Sequence, residues 1–362
     1  MRIMTILGTR PEIIRLSLIL PKLDRYAERH VLVHTGQNFA ERLSGIFFSQ
    51  LGLRKPDYVL QDSAASLGTQ LSAMFSQMED ILEREKPDTI LLLGDTNSAL
   101  CAILAERLGY PVVHMEAGNR CFDLNVPEEK NRRIIDAISS INMPYTEQSK
   151  KHLIAEGFPS NRIVLTGNPI YEVMKHYEPQ TRSSSILETL GLAPKEYFLV
   201  TAHRAENVDR PEHLEQIMQG LNLIAENHGR RIICSIHPRT ASRIAEHSFS
   251  MNPLVEFHEP FGFFDFVQLE RSACCALTDS GTVQEECCIM QVPTVTMRQT
   301  TERPETVDCG SNIVSGVDAK RIADSAALML ELNTKWACPQ GYLAEDVSDK
   351  VVKFLLGGKV HV

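Results

Sequence analysis

The 362-residue sequence contains one tryptophan, 6% aromatic residues in all, and no stretch dominated by lysine and arginine. Lysine and arginine number 37 against 46 aspartates and glutamates, for a net charge of -9. Without a basic stripe, nucleic acid is not the expected partner. No apolar run approaches the ~18 residues of a membrane span, and Gly8 interrupts the opening strand-like segment too soon for a signal peptide. None of the nine cysteines has C-x-x-C spacing, and most lie in apolar segments. Reduced, buried thiols in a cytoplasmic protein are expected, not a disulfide framework or a zinc site. A Walker-type lysine loop and a G-x-G-x-x-G turn are also missing, which removes P-loop ATPases and nicotinamide enzymes from consideration. With no metal-ligand cluster either, no metal and no cofactor are expected.

The sequence does contain a regular alternation of apolar strands and amphipathic helices, over a length that favours two domains. Strands are expected at residues 2–7, 30–34, 89–93, 111–115, 141–145 and 163–165. Helices are expected from Thr9, over 66–85, 98–108, 132–139 and 150–156. After a linker placed in 178–194 the pattern restarts, with strands at 197–201, 231–236, 255–257, 274–278 and 293–297. The fold class expected is α/β: two Rossmann-like, doubly wound domains facing a cleft. Their bounds are 1–172 and 173–345, and a final helix in 346–362 packs back on the first domain.

Chemistry concentrates between Gly94 and Asp136. Asp95, Glu116 and Glu128 fall at the ends of expected strands or in the loops beyond, where open parallel sheets bind ligands. Carboxylates gathered in one crevice suit proton transfer, because like-charged neighbours separate into an acid and a base. The plainer reading makes Asp95 and Asn97 helix caps, and Glu128 with Glu129 a solvated face. Arg10 stands at a strand-to-helix turn whose backbone N–H groups and helix dipole suit an anion. Ser280, Gly281 and Thr282 form a second such turn, with Ser280 as cap, and Glu286 lies four residues beyond Thr282 to meet a ribose. His203 and His237 end strands of the second half. Arg204, Arg239, Arg298 and Arg303 point as a set to a polyanion. The ligand expected is a diphosphate carrying a polar group.

The motifs Gly8-Thr9-Arg10-Pro11-Glu12, Gly94-Asp95-Thr96-Asn97-Ser98, Glu116-Ala117-Gly118, Pro127-Glu128-Glu129, Asn131-Arg132, His203-Arg204-Ala205-Glu206-Asn207, Asp279-Ser280-Gly281, Gln284-Glu285-Glu286 and Thr301-Glu302-Arg303-Pro304-Glu305 together resemble the non-hydrolysing UDP-N-acetylglucosamine 2-epimerase family. The resemblance runs along nearly the whole chain. It implies a GT-B-type fold, a UDP-sugar substrate, a homodimer, and inversion at C2 without NAD or metal. By this resemblance Asp95, Glu116, Glu128 and His203 are catalytic, with the acid and the base among the carboxylates left open. Arg10, Arg15, Gln37, Gln70, Arg132, His237, Phe266, Ser280, Gly281, Thr282, Glu286 and Arg303 are the expected substrate- and UDP-binding residues. Arg15 stands where the UDP-GlcNAc enzymes usually carry Lys, and Asn38 where they carry His. The run Asn119 to Val126 instead resembles the branch that forms UDP-N-acetyl-L-fucosamine for capsules and O-antigens, in which Cys121 or Phe122 would meet a 6-methyl group. A UDP-GlcNAc 2-epimerase, a UDP-N-acetyl-L-rhamnosamine 2-epimerase and, in another class, a GT-B glycosyltransferase are the alternatives.

Overall fold

The computed structural model describes residues 1–36, 45–61, 66–247, 249–332 and 335–357. The chain divides into two compact units, Met1–Met174 with Gln340–Val362, and Lys175–Pro339. The first contains β1 (Arg2–Leu7), β2 (Arg29–His34), β3 (Tyr58–Val59), β4 (Thr89–Leu93), β5 (Val112–Met115) and β6 (Ile141–Met143), in the order β3-β2-β1-β4-β5-β6. The second contains β7 (Tyr197–Thr201), β8 (Arg231–Ser235), β9 (Val255–His258), β10 (Cys275–Thr278), β11 (Thr294–Thr296) and β12 (Asn312–Val314), in the order β12-β11-β10-β7-β8-β9. Every pairing is parallel. Counted within its own unit, each sheet has the doubly wound Rossmann order, with its switch point between β1 and β4 or between β7 and β10.

Burial on both faces explains why the strands read as unbroken apolar runs. All five residues of β4 and of β7 are buried. In the first unit, Ile6, Val33 and Leu92 pack with Met78 and Leu82 of the helix Leu67–Glu85, which Ser66 caps by accepting from Thr69 N. The helix Val347–Gly357 lies on the helix Leu20–Tyr26, where Lys22 Nζ donates to Ser348 Oγ and Asp349 Oδ1, both at 2.6 Å.

Several elements differ from the sequence expectation. The helix expected from 132 begins at Pro127, whose fixed φ suits the first helical position, so Glu128 lies in its first turn and not in a loop. Residues 163–165 make only an isolated bridge, Ile163 to Asn142. The expected linker carries two five-residue helices, Glu178–Arg182 and Ile186–Leu190. The short strands β3 and β12 were too brief to show a period.

Candidate active site

In the first unit, Gly94 turns the chain at φ +81° after β4 and presents Asp95. One oxygen of Asp95, Oδ2, accepts from Arg132 Nε at 2.9 Å and Nη2 at 2.6 Å. The remaining guanidinium nitrogen, Nη1, donates to Glu129 Oε2 at 2.9 Å. Arg132 is buried, whereas Asp95 keeps 22% of its side chain exposed. Asn131 Nδ2 donates to Asp95 O at 3.0 Å and to Asn97 Oδ1 at 3.3 Å, and Asn97 Nδ2 donates to Gln70 Oε1 at 3.0 Å. Asp95, Asn97, Gln70 and Arg132 are thereby gathered at one sheet end. Neither Asp95 nor Asn97 caps the next helical turn, because Thr96 occupies the cap position.

Glu116 follows β5 in a left-handed conformation, φ +69°. Its Oε2 accepts from Arg15 Nη1, and Asn119 Nδ2 lies 3.4 Å from Oε1. The Arg15 guanidinium also lies 5.7 Å from the centre of the Tyr145 ring. Glu128 is half-buried, while its neighbour Glu129 is fully buried. The solvated-face reading therefore fails for Glu129. Burial pushes the Glu129 carboxyl up, but the Cys121 N–H and the Arg132 charge outweigh it and hold it below the usual range. By accepting from Cys121 N at 3.0 Å and Phe122 N at 3.3 Å, Glu129 fixes the loop that follows Glu116.

The first βα turn is arranged differently from the expectation. The N–H groups of Gly8 and Thr9, expected to face an anion, donate to Glu12 Oε2 at 2.5 and 3.1 Å. Arg10 starts the following helix, its Cζ 5.6 Å from the centre of the Phe47 ring. Gln37 lies outside the described residues.

In the second unit, His203 follows β7 and Asp279 follows β10, on either side of the switch point. Asp279 is fully buried and accepts from His203 N and Arg204 N at 2.9 Å and from Asn207 Nδ2 at 3.2 Å. Its Oδ1 lies 3.3 Å from His203 Nδ1, and the His203 side chain is 42% exposed. An imidazole beside a buried carboxylate suits proton transfer or a hydrogen bond to a phosphate. Ser280 occupies the cap position of the helix Gly281–Met290 but makes no side-chain cap bond, since its Oγ pairs with Thr282 Oγ1 at 2.8 Å. A Cβ on Gly281 would fall 2.5 Å from Glu302 Oε1, so a larger residue there would have to move the Glu302 carboxylate. Glu286 is buried on the same helix.

The expected arginine set has carboxylate partners within its own unit. Arg204 pairs with Glu302, Arg298 with Glu302 and Glu206, Arg303 with Glu285, and Arg239 with Asp209. Arg298 and Arg303 are buried and require such neutralisation, whereas Arg204 and Arg239 keep 15% and 54% of their side chains exposed. Phe266 is 7% exposed and packs in the core beside Tyr197 and Leu269. His237, half-buried at the end of β8, accepts from Arg239 N at 3.3 Å. Among the described residues, no group of three or more His, Cys, Asp or Glu is arranged to hold a metal ion, and no helix is long and apolar enough to cross a membrane.

Asp279, Glu129 and Glu12 were not singled out from sequence as site residues. A signal existed for Glu129: with Arg132 and Asp136 it follows the i, i+3, i+7 spacing of a buried helix face, filled here by charges.

The structure is similar to that of a UDP-GlcNAc 2-epimerase from Methanocaldococcus jannaschii in complex with UDP-GlcNAc and UDP, with TM-score 0.93, 38% identity, and coverage of 99% of this chain and 100% of that one. The Neisseria meningitidis UDP-GlcNAc 2-epimerase bound to UDP-GlcNAc gives TM-score 0.90 at 27% identity, over 99% and 100% of the two chains. The architecture is therefore the two-unit α/β class of GT-B type. In sequence, the M. jannaschii UDP-N-acetylglucosamine 2-epimerase is 39% identical over 99% of this chain and 100% of its own. The Pseudomonas aeruginosa UDP-2,3-diacetamido-2,3-dideoxy-D-glucuronate 2-epimerase is 36% identical over 91% and 92%. Residues 22–356 match the family described as UDP-N-acetylglucosamine 2-epimerase. The chain belongs to this family and is a non-hydrolysing UDP-sugar 2-epimerase.

Proposed function

We propose that the substrate is a UDP-2-acetamido-2,6-dideoxy-L-hexose, the talo-configured sugar being converted to UDP-N-acetyl-L-fucosamine. The observation that carries this reading is Phe122. It is 63% exposed, at φ +58°, on the loop that Glu129 pins beside Glu116. It is held in place by the edge of His152, ring centres 5.3 Å apart, and by Arg133 at 5.9 Å. A fixed apolar ring on the loop that follows Glu116 suits a C6 methyl better than a hydroxymethyl group. A second reading, UDP-GlcNAc to UDP-ManNAc, is favoured by the similarity to proteins named for UDP-N-acetylglucosamine.

One carboxylate among Asp95, Glu116 and Glu128 removes the C2 proton. Its electron pair forms the C1–C2 double bond as the C1–O bond breaks anti to it, and UDP leaves. UDP then adds back at C1 while a second group delivers a proton to the other face of C2. Arg10, His203, Ser280, Gly281, Thr282 and Glu286 hold UDP, with charge and N–H groups stabilising the departing diphosphate. The product serves a capsule or O-antigen. The protein acts in the cytoplasm as a homodimer.

Incubation in D2O with UDP-N-acetyl-L-fucosamine and, separately, UDP-GlcNAc tests the reading, with C2 followed by NMR. Deuterium at C2 and a talo product from the first substrate alone are expected. Exchange with UDP-GlcNAc alone would replace the proposal with the second reading.

A further inference from the structure

Glu116 pays a conformational penalty for its place. A left-handed backbone strains a residue bearing a Cβ and persists only where its surroundings over-determine it. Those surroundings lead to two side chains outside the carboxylate set. His114, in β5, has Nδ1 2.8 Å from Asp136 Oδ1 and Nε2 2.8 Å from the Gly94 carbonyl oxygen. The other oxygen of Asp136 accepts from Gly118 N at 3.1 Å and from Arg120 Nη1 at 2.8 Å. Arg120 in turn donates to Glu156 at 2.8 Å from Nε and 2.6 Å from Nη2. His114 and Asp136 are fully buried, and Arg120 nearly so.

The hydrogen positions follow from the acceptors. A carbonyl oxygen can only accept, so His114 Nε2 donates to Gly94. Burial pushes the Asp136 carboxyl up, but His114 and Arg120 outweigh it and hold it below the usual carboxylate range. Asp136 is thus an ionised acceptor at both oxygens, and His114 Nδ1 donates to it. Through this pair, three elements are joined. The Gly94 carbonyl belongs to the turn that presents Asp95. The Gly118 N–H belongs to the turn that presents Glu116. Asp136 itself lies on the helix Pro127–Ile138, whose first turn presents Glu128. Gly118 has no room to compensate, because a Cβ there would fall 2.2 Å from the Ser149 carbonyl oxygen.

We propose that His114 and Asp136 are a positioning pair for the epimerase reaction, fixing the spacing of Asp95, Glu116 and Glu128 without touching the sugar. This rests on the reading of those three carboxylates as the acid–base groups. A buried polar network of this kind acts as a unit, and misplacing a reacting group by about 1 Å can cost about 10²-fold in rate.

Asp136→Asn keeps the shape but removes the charge that faces Arg120, and its NH2 requires an acceptor at His114 Nδ1 in place of the donor there. The expected result is a kcat lower by about 10- to 100-fold, with KM within about threefold. Amide hydrogen exchange should quicken at residues 94–96 and 116–120 and stay unchanged across β1 and β2. His114→Gln reaches Gly94 or Asp136 but not both, so it should show the same pattern and carries the test if Asp136→Asn does not fold. The double variant should be no slower than the slower single variant, because the pair acts together. A kcat within about twofold of wild type in the folded variants, exchange quickened evenly over the whole unit, or failure of both variants to fold would overturn the proposal. The underlying reading fails separately: Asp95→Asn, Glu116→Gln and Glu128→Gln would then all retain activity, whereas the exchange pattern is read without substrate.

Discussion

Glu12 offers a test in which the structure fixes the sign as well as the size. Its side chain is 2% exposed, and it accepts from Gly8 N at 2.5 Å, Thr9 N at 3.1 Å and Thr96 Oγ1 at 2.7 Å. Burial pushes the carboxyl from the ordinary 4.5 up to about 7, against the pull of those hydrogen bonds, Thr96 foremost. A carboxyl with a higher pKa folded than unfolded binds its proton more tightly in the folded state. Its contribution to stability is therefore full below 4.5 and is lost as pH rises through about 7. At ~1.4 kcal/mol for each pH unit, that interval corresponds to about 3 kcal/mol. Glu12→Gln removes the titration and keeps the contacts, since the amide oxygen can accept from Gly8 and Thr9 while its NH2 donates to Thr96. Relative to the variant, the wild-type first unit should lose about 3 kcal/mol between about pH 4.5 and pH 8. The single tryptophan, Trp336, lies in the second unit, where Nε1 donates to Cys288 O at 2.9 Å. Its fluorescence does not follow the first unit, but native-state hydrogen exchange of β1 and β4 amides does. Parallel pH profiles for the two proteins would refute the reasoning. A wild type that gained on the variant with rising pH would show that the hydrogen bonds, not burial, govern Glu12.

Two further outcomes can be checked directly. If Phe122 contacts a C6 methyl, Phe122→Ala should lower kcat/KM for the 6-deoxy substrate about tenfold, the worth of a small apolar contact, and leave residual UDP-GlcNAc turnover unchanged; equal losses on both substrates would refute the contact. Hydrogen bonding with Cys288 and Ser311 draws the half-buried Cys309 thiol down, whereas burial pushes Cys101 up to about 12. Iodoacetamide at neutral pH should therefore modify Cys309 well before Cys101, as read by peptide mass spectrometry, and the reverse order would show that access outweighs thiolate character.

The sheets were legible in the sequence because buried parallel strands are long apolar runs set between helix signals. β4 and β7 are unmistakable for that reason. β3 has two residues and β12 three, too few for any period to show. The helix start at Pro127 was signposted by proline but obscured by Glu128, Glu129 and Lys130, which look like a solvated face until tertiary contacts bury Glu129. The carboxylates at strand ends could be picked out because their positions follow from the alternation of strands and helices alone. Their partners could not. Arg132 meets Asp95 across 37 residues and Asp279 meets His203 across 76, and only the folded sheet order brings such pairs together. The carboxylate partners of the arginine set were hidden for the same reason, each being distant in sequence or placed among neighbours.

Both units treat the first βα turn in the same unexpected way. In a Rossmann dinucleotide site this turn leaves its N–H groups to the pyrophosphate. Here Glu12 takes the N–H groups of Gly8 and Thr9 in the first unit, and Asp279 takes those of His203 and Arg204 in the second. Neither turn offers these N–H groups to a diphosphate, since each already donates to a protein carboxylate. The missing G-x-G-x-x-G thus has a structural counterpart, in that the turns are built to hold protein carboxylates. In the second unit the consequence is chemical as well as steric. Asp279 gives one oxygen to the turn, and its other oxygen lies 3.3 Å from His203 Nδ1, so the carboxylate that closes the turn also sits beside an imidazole whose side chain is 42% exposed.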